Sequence, residues 1–194
     1  MKKLLITGFE PFGGESLNPS WEAVALLPTE INGYSLTKLR IPVVFGESAE
    51  LVLKAAEEIE PDAIICVGQA GGRDSITPEL VAINLRHTSI SDNKGNQPID
   101  QPIIPGGESA FFSTLPVRKM SEAIASSGLS AKLSYSAGAY VCNDLLYTLL
   151  SHYKNSSTRV CFIHVPYVLE QGKEPSMALS DILRGLTVAI ENVD

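Results

Sequence analysis

The sequence predicts a three-layer α/β/α sandwich, a single domain over residues 1–194, built on a mostly parallel (mixed) twisted sheet. Three observations carry that expectation. Strand-like and helix-like segments alternate along the whole chain, as βαβ units require. The run DAIICVGQ, residues 62–69, is continuously apolar, as expected of a strand covered on both faces. With 194 residues and 44% hydrophobic content, the chain has ample apolar surface for one sizeable core.

The elements follow in order. KKLLITGF reads as the first strand; its apolar stretch is too short for a secretion signal and runs at once into Glu10 and Pro11. Asn18 reads as a helix cap with Pro19 at the first helical position of NPSWEAVALLP. YSLTKLRIPVV is a second strand, and ESAELVLKAAEEIEP an amphipathic helix. After DAIICVGQ, LVAINLRH is expected to be another strand. Residues 88–107, rich in Pro, Gly, Asn and Asp, read as an excursion with turns, decorated by short hairpin strands around residues 84–104. ESAFFSTLPVRKMSEAIASSG is expected to be helical with an interruption at Pro116. AKLSYSAGAYV is expected to be a strand with its exit, NDLLYTLLSHY a helix, RVCFIHVPY a strand and MALSDILRGLTVAIENV a closing helix.

Composition excludes several partners. The net charge is −7 with no basic cluster, which argues against nucleic acid. No apolar stretch approaches the ~18 residues needed to cross a bilayer, so no membrane association is expected. Three cysteines without paired spacing point to a reducing cytoplasm. The three histidines and three cysteines have no metal-ligand spacing, and no cofactor is implied.

Sites in open α/β sheets gather at the carboxyl ends of strands. Cys142 stands where an apolar run gives way to a helical one, and a helix N-terminus is expected to lower a thiol pKa. A small buried structural cysteine explains the same position equally well. His164 ends the apolar run Val160–Ile163; alone, it reads as a satisfied strand-end histidine. Together the two supply a nucleophile and a general base for acyl transfer. A carboxylate should orient the imidazole. Glu79, Asp74 and Asp144 all compete for that place; Asp144 is also an ordinary first-turn helix acid, and Glu79 reaches the site if its strand runs antiparallel. Cys66 and Cys161 lie mid-strand and read as core, and His152 as exposed. GQAGGR, residues 68–73, could cradle an anion but lacks the residues of a P-loop or a dinucleotide fingerprint. Phe9 and Phe12, in GFEPFGG, either cover the core or wall a pocket for a small flat ligand.

Read together, these pieces resemble the pyroglutamyl peptidase I (pyrrolidone carboxyl peptidase) family of cysteine peptidases. The likeness runs through TGFEPFGG, NPSW, GQAGGRDSITPELVAIN, DNKGNQPID, SYSAGAYVCN and FIHVPY, in that order and over nearly the whole chain. It implies a catalytic Glu79, Cys142 and His164, favouring Glu79 over its rivals. It implies hydrolysis of an N-terminal pyroglutamyl residue from small peptides through an acyl-thioester. It also implies ring stacking by Phe9 and Phe12, Gln69 beside the lactam, Tyr140 and Val141 lining the same pocket, and a homo-oligomer, often a tetramer. Two departures are visible. Leu80 follows the glutamate where the family carries a basic or aromatic residue, and the turn around NSSTR is short; an altered packing contact is expected at Leu80. Two other readings remain: a purine nucleoside phosphorylase relative, which would need a richer phosphate site than GGR, and a non-catalytic binder of pyroglutamyl or similar lactam ends.

Overall fold

The computed structural model describes all 194 residues. Its central sheet has six strands in the order β2-β3-β1-β4-β8-β5. The four interior strands are β1 (Lys2–Phe9), β3 (Tyr34–Ile41), β4 (Ala63–Gln69) and β8 (Arg159–Val165), all mutually parallel. Short antiparallel strands close both edges: β2 (Glu30–Ile31) on β3, and β5 (Thr77–Pro78) on β8. From Leu4 onward β1 is buried at every residue, and β4 is buried from Ala63 to Gly68. Both faces of these strands are therefore covered, which is why they read as unbroken apolar runs.

Helices α1 (Pro19–Leu26), α3 (Val117–Ser126) and α5 (Leu179–Glu191) cover one face, and α2 (Glu47–Ile59) and α4 (Val141–Tyr153) the other. The sheet thus separates two apolar cores, the first including Ile65, Met120 and Leu186, the second Ile64, Leu145 and Phe162. Asn18 caps α1 by accepting from Ser20 N at 3.1 Å, with Pro19 at the first helical position. Gly8 lets α1 lie tightly on β1: a Cβ there would stand 2.6 Å from Trp21 Cα.

Four expected elements differ. The strand expected over 80–87 is only β6 (Val81–Ile83), and it leaves the main sheet to pair with β7 (Ala110–Phe112). The antiparallel edge strand is instead β5, just ahead of Glu79. Residues 108–115 are not helical: β7 occupies part of them, and α3 starts only after Pro116, whose ring favours a helix start over a helix interior. Residues 131–141 form no strand. They touch the sheet only through isolated bridges, Ile76 with Ala131 and Glu79 with Ser134, before Gly138 turns at φ +79°. The excursion at 88–107 contains no strand. Buried Asp92 folds it by accepting from the backbone N–H groups of Phe45, Lys94 and Asn96 at 2.8–3.0 Å.

The connection after β8 holds β9 (Tyr167–Val168), a single 3₁₀ turn (Leu169–Gln171) and β10 (Ser176–Met177), which pairs with β9. No helix is long and apolar enough to cross a membrane.

Candidate active site

Three chain segments meet at the carboxyl end of β8. His164 pairs in register with Gly68 of β4 on one side and Thr77 of β5 on the other. Paired residues share a sheet face, and so do residues two apart on one strand. Glu79, two residues beyond Thr77, is therefore brought to the imidazole. Its Oε1 lies 2.7 Å from His164 Nδ1, with Glu79 fully buried and His164 4% exposed. Of the three competing carboxylates only Glu79 touches this histidine. Asp144 is buried against Arg86 Nε at 2.6 Å and Gly46 N at 2.8 Å, where it fastens α4 to the start of α2. Asp74 is exposed and holds Lys132 and Ser75.

On the other side of His164, Gly68 has no side chain, and the sulfur of Cys142 fills the space. A Cβ at Gly68 would stand 3.1 Å from Cys142 Sγ and 2.6 Å from the Phe162 ring. Gly68 and His164 are register partners on one sheet face, so the sulfur that fills the place of a Gly68 side chain lies on the face that His164 occupies. Cys142 is in the first turn of α4. Its neighbour Asn143 anchors that turn, donating to Ile83 O and Leu85 O and accepting from Ile83 N at 2.9–3.0 Å. The Tyr140 side chain provides no cap for the helix. The N–H groups of Val141, Cys142 and Asn143, ahead of the first helical bond from Asp144 N to Tyr140 O, are thus left as donors.

The protonation pattern departs from the sequence expectation. Cys142 as a residue is half-buried, but its sulfur faces inward. Burial, reinforced by the negative charge of Glu79, pushes its pKa up to about 12 rather than down. Desolvation here outweighs the helix dipole. Burial also lowers the pKa of His164, against the opposing pull of Glu79, so the imidazole is neutral at pH 7. Burial by itself would raise Glu79, but His164 first, then the Ser134 hydroxyl and last the Arg73 charge overcome it and hold its pKa below the ordinary value. At rest the site is a thiol, a neutral imidazole and a carboxylate.

Beside the sulfur lies a small cavity of about 30 Å³ lined by Phe9, Phe12, Asn18, Val43, Gln69, Tyr140 and Cys142. It has room for about two water molecules. Phe9 is buried against Phe162 with ring centroids 6.3 Å apart, and Phe12 faces Tyr140 at 6.2 Å. Val141 is fully buried in the core and is not among the lining residues. Gln69 is held through its Oε1 by Gln171 Nε2 at 2.9 Å. Cys66 and Cys161 are fully buried in opposite cores, and His152 is exposed.

Sequence reasoning missed three contributors. Asn18 does more than cap α1: it also lines the cavity, as does Val43. Arg73 donates to Glu79 Oε1 at 2.6 Å. In the chain Arg73 is the nearest cation preceding Glu79, but the burial of Glu79 that calls for a counter-charge is set only by the fold.

Comparison with known proteins now decides the family. A model of the pyroglutamyl peptidase family matches residues 2–194. The chain belongs to the pyroglutamyl peptidase family. Family relatives include pyrrolidone-carboxylate peptidase 1 of Streptococcus pneumoniae serotype 4, 49% identical over 98% of this chain and 92% of its own. The pyrrolidone-carboxylate peptidase of Clostridium perfringens strain 13 is 48% identical over the same shares. The crystal structure of pyroglutamyl peptidase I from Bacillus amyloliquefaciens superposes with a TM-score of 0.94 at 44% identity, covering 100% of this chain and 97% of that one. The pyrrolidone carboxyl peptidase of Thermococcus litoralis gives 0.95 at 35% identity, covering 100% and 93%. The family fold is thus kept across the whole chain, Leu80 included. Leu80 packs partly buried against the core that α3 and α5 cover.

Proposed function

We propose that this protein is a cysteine exopeptidase that removes N-terminal pyroglutamate from small peptides. The observation that carries the reading is the buried Glu79–His164 contact, set beside a cysteine sulfur that opens on a cavity for a small flat group. In this mechanism His164 takes the Cys142 proton as the sulfur attacks the carbonyl joining pyroglutamate to the next residue. The N–H of Cys142, uncapped in the first turn of α4, donates to the developing oxyanion; a donor of that kind is worth about 2.7–4 kcal/mol of barrier. The intermediate collapses, the C–N bond breaks and His164 returns the proton to the leaving amine. Water, deprotonated by His164, then cleaves the thioester and frees pyroglutamate and the thiol. Glu79 holds the tautomer with Nδ1 protonated, so that the other ring nitrogen is the base.

Specificity follows from the cavity. A lactam ring is flat and uncharged. It would slide between Phe9, Phe12 and Tyr140, displacing water, with the backbone of Gln69 within reach of its amide. A free N-terminal ammonium would lose its hydration there without a partner. Val141 would contribute through its backbone alone. A reducing cytoplasmic setting suits a protein whose three cysteines are all free. The self-association implied by the family likeness would be read by sedimentation.

The test is release of a fluorogenic amine from a pyroglutamyl amide. Wild type should turn over, Cys142→Ala and alkylated enzyme should not, and Glu79→Gln should lose about 10³–10⁴-fold in kcat. A folded wild type that binds the amide but never cleaves it would replace this reading with that of a lactam binder.

A further inference from the structure

Arg73 is the one cationic side chain that touches the buried carboxylate. Its Nη1 donates to Glu79 Oε1 at 2.6 Å and to Thr77 Oγ1 at 2.6 Å, and its Nη2 donates to Ser136 O at 3.1 Å. The Glu79 oxygen that receives Arg73 is the same one that lies 2.7 Å from His164 Nδ1, while Oε2 makes no hydrogen bond. Both contacts fall on one oxygen, so turning that oxygen away from Arg73 also turns it away from His164. Thr77 is the register partner of His164, and Ser136 stands six residues before Cys142 on the irregular segment that delivers it. One guanidinium therefore ties the Thr77–Glu79 stretch to the segment that delivers Cys142.

We propose that Arg73 is a positioning residue of the reaction: its guanidinium fixes the Glu79 carboxylate, ionised and aimed at His164, and clamps it to the segment leading to Cys142. The assignment rests on the peptidase reading above. A planar fork is needed, because two nitrogens serve three acceptors on two segments, which a lysine ammonium does less well. The charge matters as well, because burial favours a protonated carboxylate and Arg73, after His164 and Ser134, opposes it; without the cation Glu79 shifts toward its protonated form. Glu79 would then no longer stabilise the imidazolium as it forms. Burial lowers the His164 pKa most, and the Arg73 charge adds to it by disfavouring a second positive charge there. Arg73 is itself partly exposed, in a surface cleft of about 540 Å³ lined also by Asp74, Lys132 and Tyr135. Small solutes can therefore reach the place of its side chain without crossing the substrate cavity.

The experiment compares wild type with Arg73→Gln, Arg73→Lys and Arg73→Ala on the pyroglutamyl amide across pH, with thermal melting of each. Arg73→Gln should lose about 10²-fold in kcat with KM unchanged. Its acid limb should move to higher pH, because removing a cation raises the pKa of both Glu79 and His164. Arg73→Lys should keep the wild-type limb but only part of the rate. Guanidinium at tens of millimolar should restore part of the activity of Arg73→Ala. A folded Arg73→Gln with wild-type kcat and an unmoved limb would overturn the proposal. Should that variant not fold, failure of guanidinium to raise the rate of folded Arg73→Ala would overturn it equally. Inactive wild type would remove the peptidase reading itself, whereas active wild type with unaffected variants removes this inference alone.

Discussion

In the proposed mechanism Cys142 is deprotonated during the reaction, not before it. Its thiol pKa is pushed up to about 12 and that of His164 lies below the ordinary 6.5, so proton transfer is coupled to attack. The expected profile of kcat/KM therefore rises with pH as His164 loses its proton, with the limb below 6.5, and then stays flat with no descending thiol limb through pH about 9. A descending limb near neutrality would contradict the protonated resting thiol. The same histidine couples pH to stability. Its folded pKa is depressed, so in mild acid the unfolded chain binds the extra proton. Its contribution is present above the unfolded value and is lost as pH falls through the folded one. Melting between pH about 8 and about 5 should drop more for wild type than for His164→Asn.

At the level of elements, the site depends on how closely β4, β8 and α4 approach. Gly68 is the point of closest approach, because its missing side chain leaves the space that the Cys142 sulfur and the Phe162 ring share. Gly68→Ala should displace one of them. The expected cost is about 1–3 kcal/mol in stability from overpacking and about 10²-fold or more in kcat from the misplaced sulfur. Circular dichroism melting and turnover check the two separately, and unchanged turnover would show that sulfur and strand are less tightly coupled than the geometry implies. The antiparallel edge strand β5 matters as much. It is only two residues long, yet its direction brings Glu79 to the carboxyl edge of four parallel strands.

Across the whole molecule, the chain ends close on each other far from the chemistry. Asp194 accepts from Lys2 Nζ at 2.9 Å, Arg159 Nη2 at 2.7 Å and Tyr34 Oη at 3.0 Å, joining β1, β3, β8 and the end that follows α5. These donors lower its pKa to about 2. The stabilisation is therefore present above the ordinary carboxylate pKa and disappears as pH falls through about 2. The carboxylate is 55% exposed, so water screens the network heavily. Asp194→Asn should lower the melting temperature by no more than about 2–4 °C and leave kcat unchanged. A larger loss would mean that the end clasp holds more of the sheet than its exposure suggests.

The sequence by itself determined the three-layer architecture, the parallel interior strands, the capped start of α1 and the order of the motifs. These are written in local terms: unbroken apolar runs for strands covered on both faces, 3.6-residue periodicity for helices lying on one face, and a cap residue before a proline. Tertiary structure alone decided which carboxylate meets His164. Asp74, Glu79 and Asp144 are locally equivalent acids, and only the register of β5 on β8 and the Arg86–Asp144 pair separate them. It also decided that residues 131–141 bridge to the edge without forming a strand, because pairing depends on a partner far away in the chain. It reversed the expected acidity of Cys142, since a helix N-terminus can be read from sequence but the depth of a sulfur under neighbouring side chains cannot. Arg73 belongs to the same class: its role comes from three acceptors that folding alone brings together.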